Sequence, residues 1–136
     1  MISDQELLKT FKVYFDDKEI INLVFLKIAN EERNPEVQAR RAELIEKSLL
    51  RLTEDNPKER YKMLVDLVPV GKVTFASDKA KRIFSHLSEI PLEKVAVVGS
   101  NLLMKIVVNV IFLMAGRSDI AKWFYNKEEA MAWLEE

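Results

Sequence analysis

The sequence predicts an α/β fold: a single-domain mixed β-sheet with helices packed against it, in the order β-β-α-β-α-β-α-β-α. Three observations carry this. Two runs with the period of a strand, joined by a turn, open the chain. Apolar runs and segments of helical period then alternate to its end. One of those runs, Val95-Ala96-Val97-Val98, is wholly apolar, as in a strand covered on both faces of a sheet. A hairpin followed by alternating units gives a sheet that is mostly parallel in its later part.

Each element has its own signal. Phe11, Val13 and Phe15 alternate with Lys12 and Tyr14, the period of a half-buried strand. Asp16, Asp17 and Lys18 make a turn into a second β-rich run over 20–28. Asn34-Pro35 is a helix start, with Asn as N-cap and Pro at the first helical position. Val37, Arg41, Leu44, Ile45, Ser48, Leu49 and Leu52 then share one stripe, with the Arg41 stem flanking the core and its head in water. A buried strand is predicted over 63–68, stopped by Pro69 and Gly71. A helix over 78–90 follows, with Ala80, Ile83, Phe84 and Leu87 inward. After the strand 95–98, Gly99-Ser100-Asn101 leads into a third helix over 102–115, capped by Gly116. A last strand, 120–125, precedes the final helix, 127–134, where Asn126 and Glu129 form a cap pair.

Composition narrows the function classes. The length of 136 residues fits one domain, 1–136, and shows no internal repeat or linker. With 21 basic and 22 acidic residues the chain is near neutral, which argues against broad electrostatic binding of nucleic acid. It has no cysteine, so thiolate chemistry and Cys-based zinc sites are excluded. No secretory signal is visible in the first ten residues, and the apolar run 102–115 is shorter than a membrane span. The expected compartment is the cytoplasm. No cofactor or metal site is expected.

From about Tyr61 onward the chain resembles the STAS superfamily, specifically its SpoIIAA-like proteins. The resemblance rests on Met63-Leu64-Val65-Asp66-Leu67, then Val70, a helix, and Lys94-Val95-Ala96-Val97-Val98-Gly99. Trp123-Phe124 follows, before Asn126-Lys127-Glu128-Glu129-Ala130 and Trp133-Leu134. It implies a non-enzymatic module acting through protein–protein contacts, with some relatives binding small ligands or lipids. The family's regulators carry an Asp-Ser-Ser-Gly segment with a phosphorylated Ser shortly after the Asp-Leu strand. This chain reads Lys72-Val73-Thr74-Phe75-Ala76-Ser77-Asp78 there. Counted without gaps, the phosphoacceptor falls on Phe75, and Ser77 reaches that role only with a shift of two residues.

The candidate site residues follow. Ser77 and Thr74 precede a helix, where a phosphate would meet free N–H groups; the simpler reading is N-capping by a hydroxyl. Asp66, Ser100 and Asn101 lie near the C-terminal ends of strands, where crevices form in open α/β sheets; the simpler reading is an ordinary turn. His86 is the lone histidine and has no visible nucleophile or orienting acid, so no catalytic constellation emerges.

The third helix carries the sharpest signal. Placed at about 100° steps, Leu103, Ile106, Val107 and Val110 should cover the sheet. Asn101, Lys105 and Asn109 then form a polar strip opposite, with Val108 and Phe112 beside it. Met104, Lys105, Val108, Asn109 and Phe112 are therefore the candidate interaction surface, for a homodimer, another protein, or a lipid or membrane surface; the alternative is that neighbouring helices cover this side within the monomer.

Overall fold

The computed structural model describes residues 3–26, 34–70 and 77–136, with the side chains of Leu87 and Ser88 left out. The described residues form five strands: β1 (Phe11–Phe15), β2 (Ile21–Phe25), β3 (Tyr61–Asp66), β4 (Leu92–Val98) and β5 (Ala121–Phe124). They also form five α-helices: α1 (Asp4–Leu7), α2 (Pro35–Asp55), α3 (Asp78–Ser85), α4 (Leu102–Met114) and α5 (Lys127–Glu135). The sheet runs β1-β2-β3-β4-β5 in sequence order. β1 and β2 pair antiparallel, and every later pair is parallel.

The α/β class and the alternation of elements match the sequence reading, with short α1 added at the front. Ser3 Oγ caps α1 by accepting the Glu6 N–H at 3.2 Å, the Ser-x-x-Glu start that the sequence reading passed over. The outer part of the predicted second strand, the Gly71 stop and the Leu87 side chain lie outside the described residues. The predicted helix 78–90 divides into α3 and a 3-10 turn, His86–Glu89.

Local chemistry sets the boundaries. Asp16 makes the hairpin turn: its Oδ1 accepts the N–H groups of Lys18 (2.9 Å) and Ile20 (3.0 Å). Its Oδ2 accepts the Asn22 amide at 3.0 Å, and Glu19 takes the left-handed φ of 60° that closes the turn. Asn34 Oδ1 caps α2 on the N–H groups of Glu36 and Val37. Asn126 Oδ1 caps α5 in the same way on Glu128 and Glu129.

Two cores flank the sheet. On one face, Ile21, Leu23, Met63, Val95 and Val97 meet Val37, Leu44, Ile45 and Leu49 of α2, Phe84 of α3, and Met104, Val108 and Phe112 of α4. On the other, Leu64, Ala96, Val98 and Phe124 meet Ala130 and Leu134 of α5. β4 is thus covered on both faces, as its apolar run requires. Full burial of a side chain such as Ile45 or Leu49 contributes about 1.5–3 kcal/mol.

The Arg41 head departs from expectation. It does not stay in water: Nη2 donates to Thr10 O (2.8 Å) and Leu26 O (2.9 Å), at the open end of the hairpin. The guanidinium lies 5.0 Å from the centre of the Phe25 ring. Thr10 O also accepts the Leu26 N–H at 2.7 Å, so the charged donor uses a second lone pair on a carbonyl that closes the hairpin.

Candidate functional site

The candidate site is the outer surface of α4. Asn101 starts the helix, its Oδ1 accepting the Met104 N–H at 2.9 Å. Gly116, at φ 67°, ends it. The Gly116 N–H bonds to Leu113 O (3.1 Å) and the Arg117 N–H to Phe112 O (2.9 Å), the two bonds of a Schellman cap. Between these caps the sequence is LLMKIVVNVIFLM, with Lys105 its sole charge.

The packing orients this helix opposite to the sequence reading. Met104 is buried, at 2% exposure, and Val108 and Phe112 pack on the core beside it. Those three expected interaction residues are core contacts. Lys105 is half-buried and Asn109 exposed, so both sit on the rim of the outer face. Leu103, Ile106 and Val110, expected on the sheet, are exposed, together with Leu102, Leu113 and Met114. The cause lies at the helix start. A side chain on Gly99 would overlap both the Trp123 ring and the Met104 sulfur, so Trp123 and Met104 close directly over this glycine. That contact turns the Met104 side of α4 inward.

Six large apolar side chains, each between 39% and 70% exposed, therefore form one solvent-facing surface. Tyr125, past the end of β5, is also exposed. Its ring meets Trp123 edge to face at 5.7 Å, on the side of the sheet that α4 covers. Contiguous apolar patches of this kind mark interaction sites on soluble proteins.

The other candidates do not come together. Asp66 ends β3, and its Oδ1 accepts the Val68 N–H at 3.0 Å, so it caps a turn. By strand alternation Asp66 shares the Leu64 side of the sheet, whereas Asn101 heads α4 on the opposite side. Ser100 is exposed. Two donors at this end, Asn101 Nδ2 and Trp123 Nε1, are buried without an acceptor among the described residues. Ser77 is 6% exposed, and its Oγ caps α3 by accepting the Ala80 N–H at 3.0 Å. Its own N–H donates to Gln38 Oε1 at 2.7 Å. A hydroxyl so enclosed is a cap and not an open phosphoacceptor, which corrects that reading. Thr74 lies outside the described residues. His86 is exposed at the end of α3.

A shallow groove of about 420 Å³ lies beside Pro35, Ala39, Arg40, Glu43 and Lys79. Its cations are matched in place, Arg40 to Asp4 and Glu43, and Lys79 to Glu43. Among the described residues no group of three His, Cys, Asp or Glu side chains could hold a metal ion. No helix among them is long and apolar enough to cross a membrane.

Fold and surface define a single α/β domain with a five-stranded mixed sheet and an uncovered apolar helix face. Residues 20–136 match the family model described as a domain of unknown function, DUF7793, and the chain belongs to that family. No curated protein and no solved structure matches the chain.

Proposed function

We propose that this chain is a non-enzymatic, STAS-like binding module that acts by protein–protein interaction through the outer face of α4. The observation that carries the reading is the row of six exposed apolar side chains on that face. The STAS resemblance rests on the segments from Tyr61 onward, Met63 to Leu67 in β3 and Lys94 to Gly99 at β4, with Trp123-Phe124 and the start of α5. The burial of Ser77 moves the reading away from a phosphoserine switch and toward constitutive docking.

The substitution that tests this is Ile106→Glu, at the middle of the exposed face. Phe112→Glu is unsuitable, because Phe112 packs on the core. Tagged wild-type chain should retain a bound protein from its native cell extract, and the Ile106→Glu chain should lose it at an unchanged melting temperature. Identical retained proteins for the two chains would overturn the proposal.

The second reading, a lipid or membrane-surface contact, uses the same apolar face. Helices that lie in a lipid interface are rich in Lys and Arg on their polar side, and α4 offers Lys105 alone. Protein docking therefore has the stronger support.

A further inference from the structure

Resting on that reading of the α4 face, we infer that its occupant is a second copy of this chain. The two α4 helices dock antiparallel about a two-fold axis at the level of Val108.

Three observations carry this. The first is the order of the exposed side chains along α4. Counted from Val108, Ile106 and Val110 lie two residues to either side, Leu103 and Leu113 five, and Leu102 and Met114 six. The row reads the same in both directions. An isologous contact requires this, since residue i of one copy must meet residue j of the other while j meets i. Antiparallel docking sets Ile106 against Val110 of the partner subunit, Leu103 against the partner's Leu113, and Leu102 against the partner's Met114. Every pair is apolar on both sides.

The second observation is charge. A face that meets its own copy brings like charges together, which opposes association. This face carries no charge along its centre, and Lys105 stands at its margin with Asn109. An apolar centre with a polar edge is the usual anatomy of a protein interface.

The third is area. The six side chains expose on the order of 600 Å², at the top of the range for the largest patch on a monomer. That is about three quarters of the ~800 Å² that each partner gives to a standard interface. Two helices packed along this row satisfy both faces at once, with axes about 8–10 Å apart.

The absence of cysteine makes the arrangement directly testable. Residues 103 and 113 of one helix are about 15 Å apart along its axis, and a disulfide needs Cα atoms within about 7 Å. Leu103→Cys and Leu113→Cys chains, mixed under mild oxidation, should form a cross-linked pair that neither forms alone. Light scattering of the wild-type chain should give twice its 15.8 kDa mass. Ile106→Glu, present twice in the interface, should weaken association by about a hundredfold or more. Circular dichroism spectra like that of the wild type show that the variants fold.

Cross-linking of Leu103→Cys with itself would overturn the antiparallel arrangement. A wild-type monomer at about 100 μM with no mixed cross-link, far above the dissociation constant such an interface supports, would overturn the second copy as occupant. Binding of the monomer to phosphatidylcholine vesicles, lost in Ile106→Glu, would overturn it in favour of lipid. If Ile106→Glu still strips a different protein from the monomer, the docking reading stands and the self-association fails. If it changes neither, both fail.

Discussion

Helices α2 and α4 cover the same face of one sheet, yet they treat water in opposite ways. α2 buries Val37, Leu44, Ile45 and Leu49 and turns charge outward. Arg40 there bridges Asp4 at 2.6 Å and Glu43 at 2.8 Å. α4 buries Met104, leans Val108 and Phe112 on the core, and turns six further apolar side chains outward. One helix is complete as a surface helix of a monomer. The other has the composition of a helix covered on two sides and is covered on one. That difference is what the proposed docking face rests on.

Leucine truncation gives the largest effect that separates the two helices. Leu49→Ala, at a fully enclosed site, should cost about 2–5 kcal/mol by denaturant unfolding. Leu113→Ala, at the most exposed leucine of α4, should change the stability of the isolated chain by less than about 0.5 kcal/mol. Similar losses at both sites, measured on the dilute chain, would erase the distinction.

The caps should make the helices alike instead. Asn34→Ala and Asn101→Ala each remove one acceptor from a helix start and should each cost about 1 kcal/mol in thermal unfolding. A much larger loss at Asn101 would mean that its turn holds more than the helix end.

Acid gives the smallest effect. The hydrogen bonds from Arg40 hold the Asp4 carboxyl below its ordinary value, ahead of the opposing effect of desolvation. A carboxyl depressed in the folded state contributes stability above its unfolded pKa of about 3.9. That contribution fades as pH falls through the lower folded value. A carboxyl-resolved titration should follow this change at the α1–α2 contact. α4 carries no acid, so its own signals should stay flat over that range. An Asp4 titrating at the ordinary value would show the pair to be open in solution.

Most of the fold is legible from polar punctuation. Asp16 in the hairpin, Asn34-Pro35, Asn126 and Gly116 all act as their residue types suggest, because caps and turns are local chemistry. The apolar run of β4 was equally readable, since nothing in it can face water. The orientation of α4 was not. Its angular contrast is weak, so Lys105 and Asn109 look like the centre of the wet side when they form its shoulder. The deciding contact joins Gly99 of the β4–α4 turn, Met104 of α4 and Trp123 of β5, and no short window of sequence contains it. The Arg41 head was missed for a similar reason. Its acceptors, Thr10 O and Leu26 O, are backbone atoms with no signature in side-chain pattern.

The hairpin has a further consequence. The family match begins at residue 20, while β1 pairs with β2 through five residues, Phe11 to Phe15. A chain begun at Ile20 would keep β2 through β5 but leave the β2 backbone without its neighbour on that side. It would also uncover the apolar surface that Phe11, Val13 and Phe15 now close. Unprotected sheet edges recruit other strands. β1 therefore serves as a hem: it takes over the outer edge of the sheet, so that the open backbone row belongs to a short five-residue strand and the β2 row stays paired.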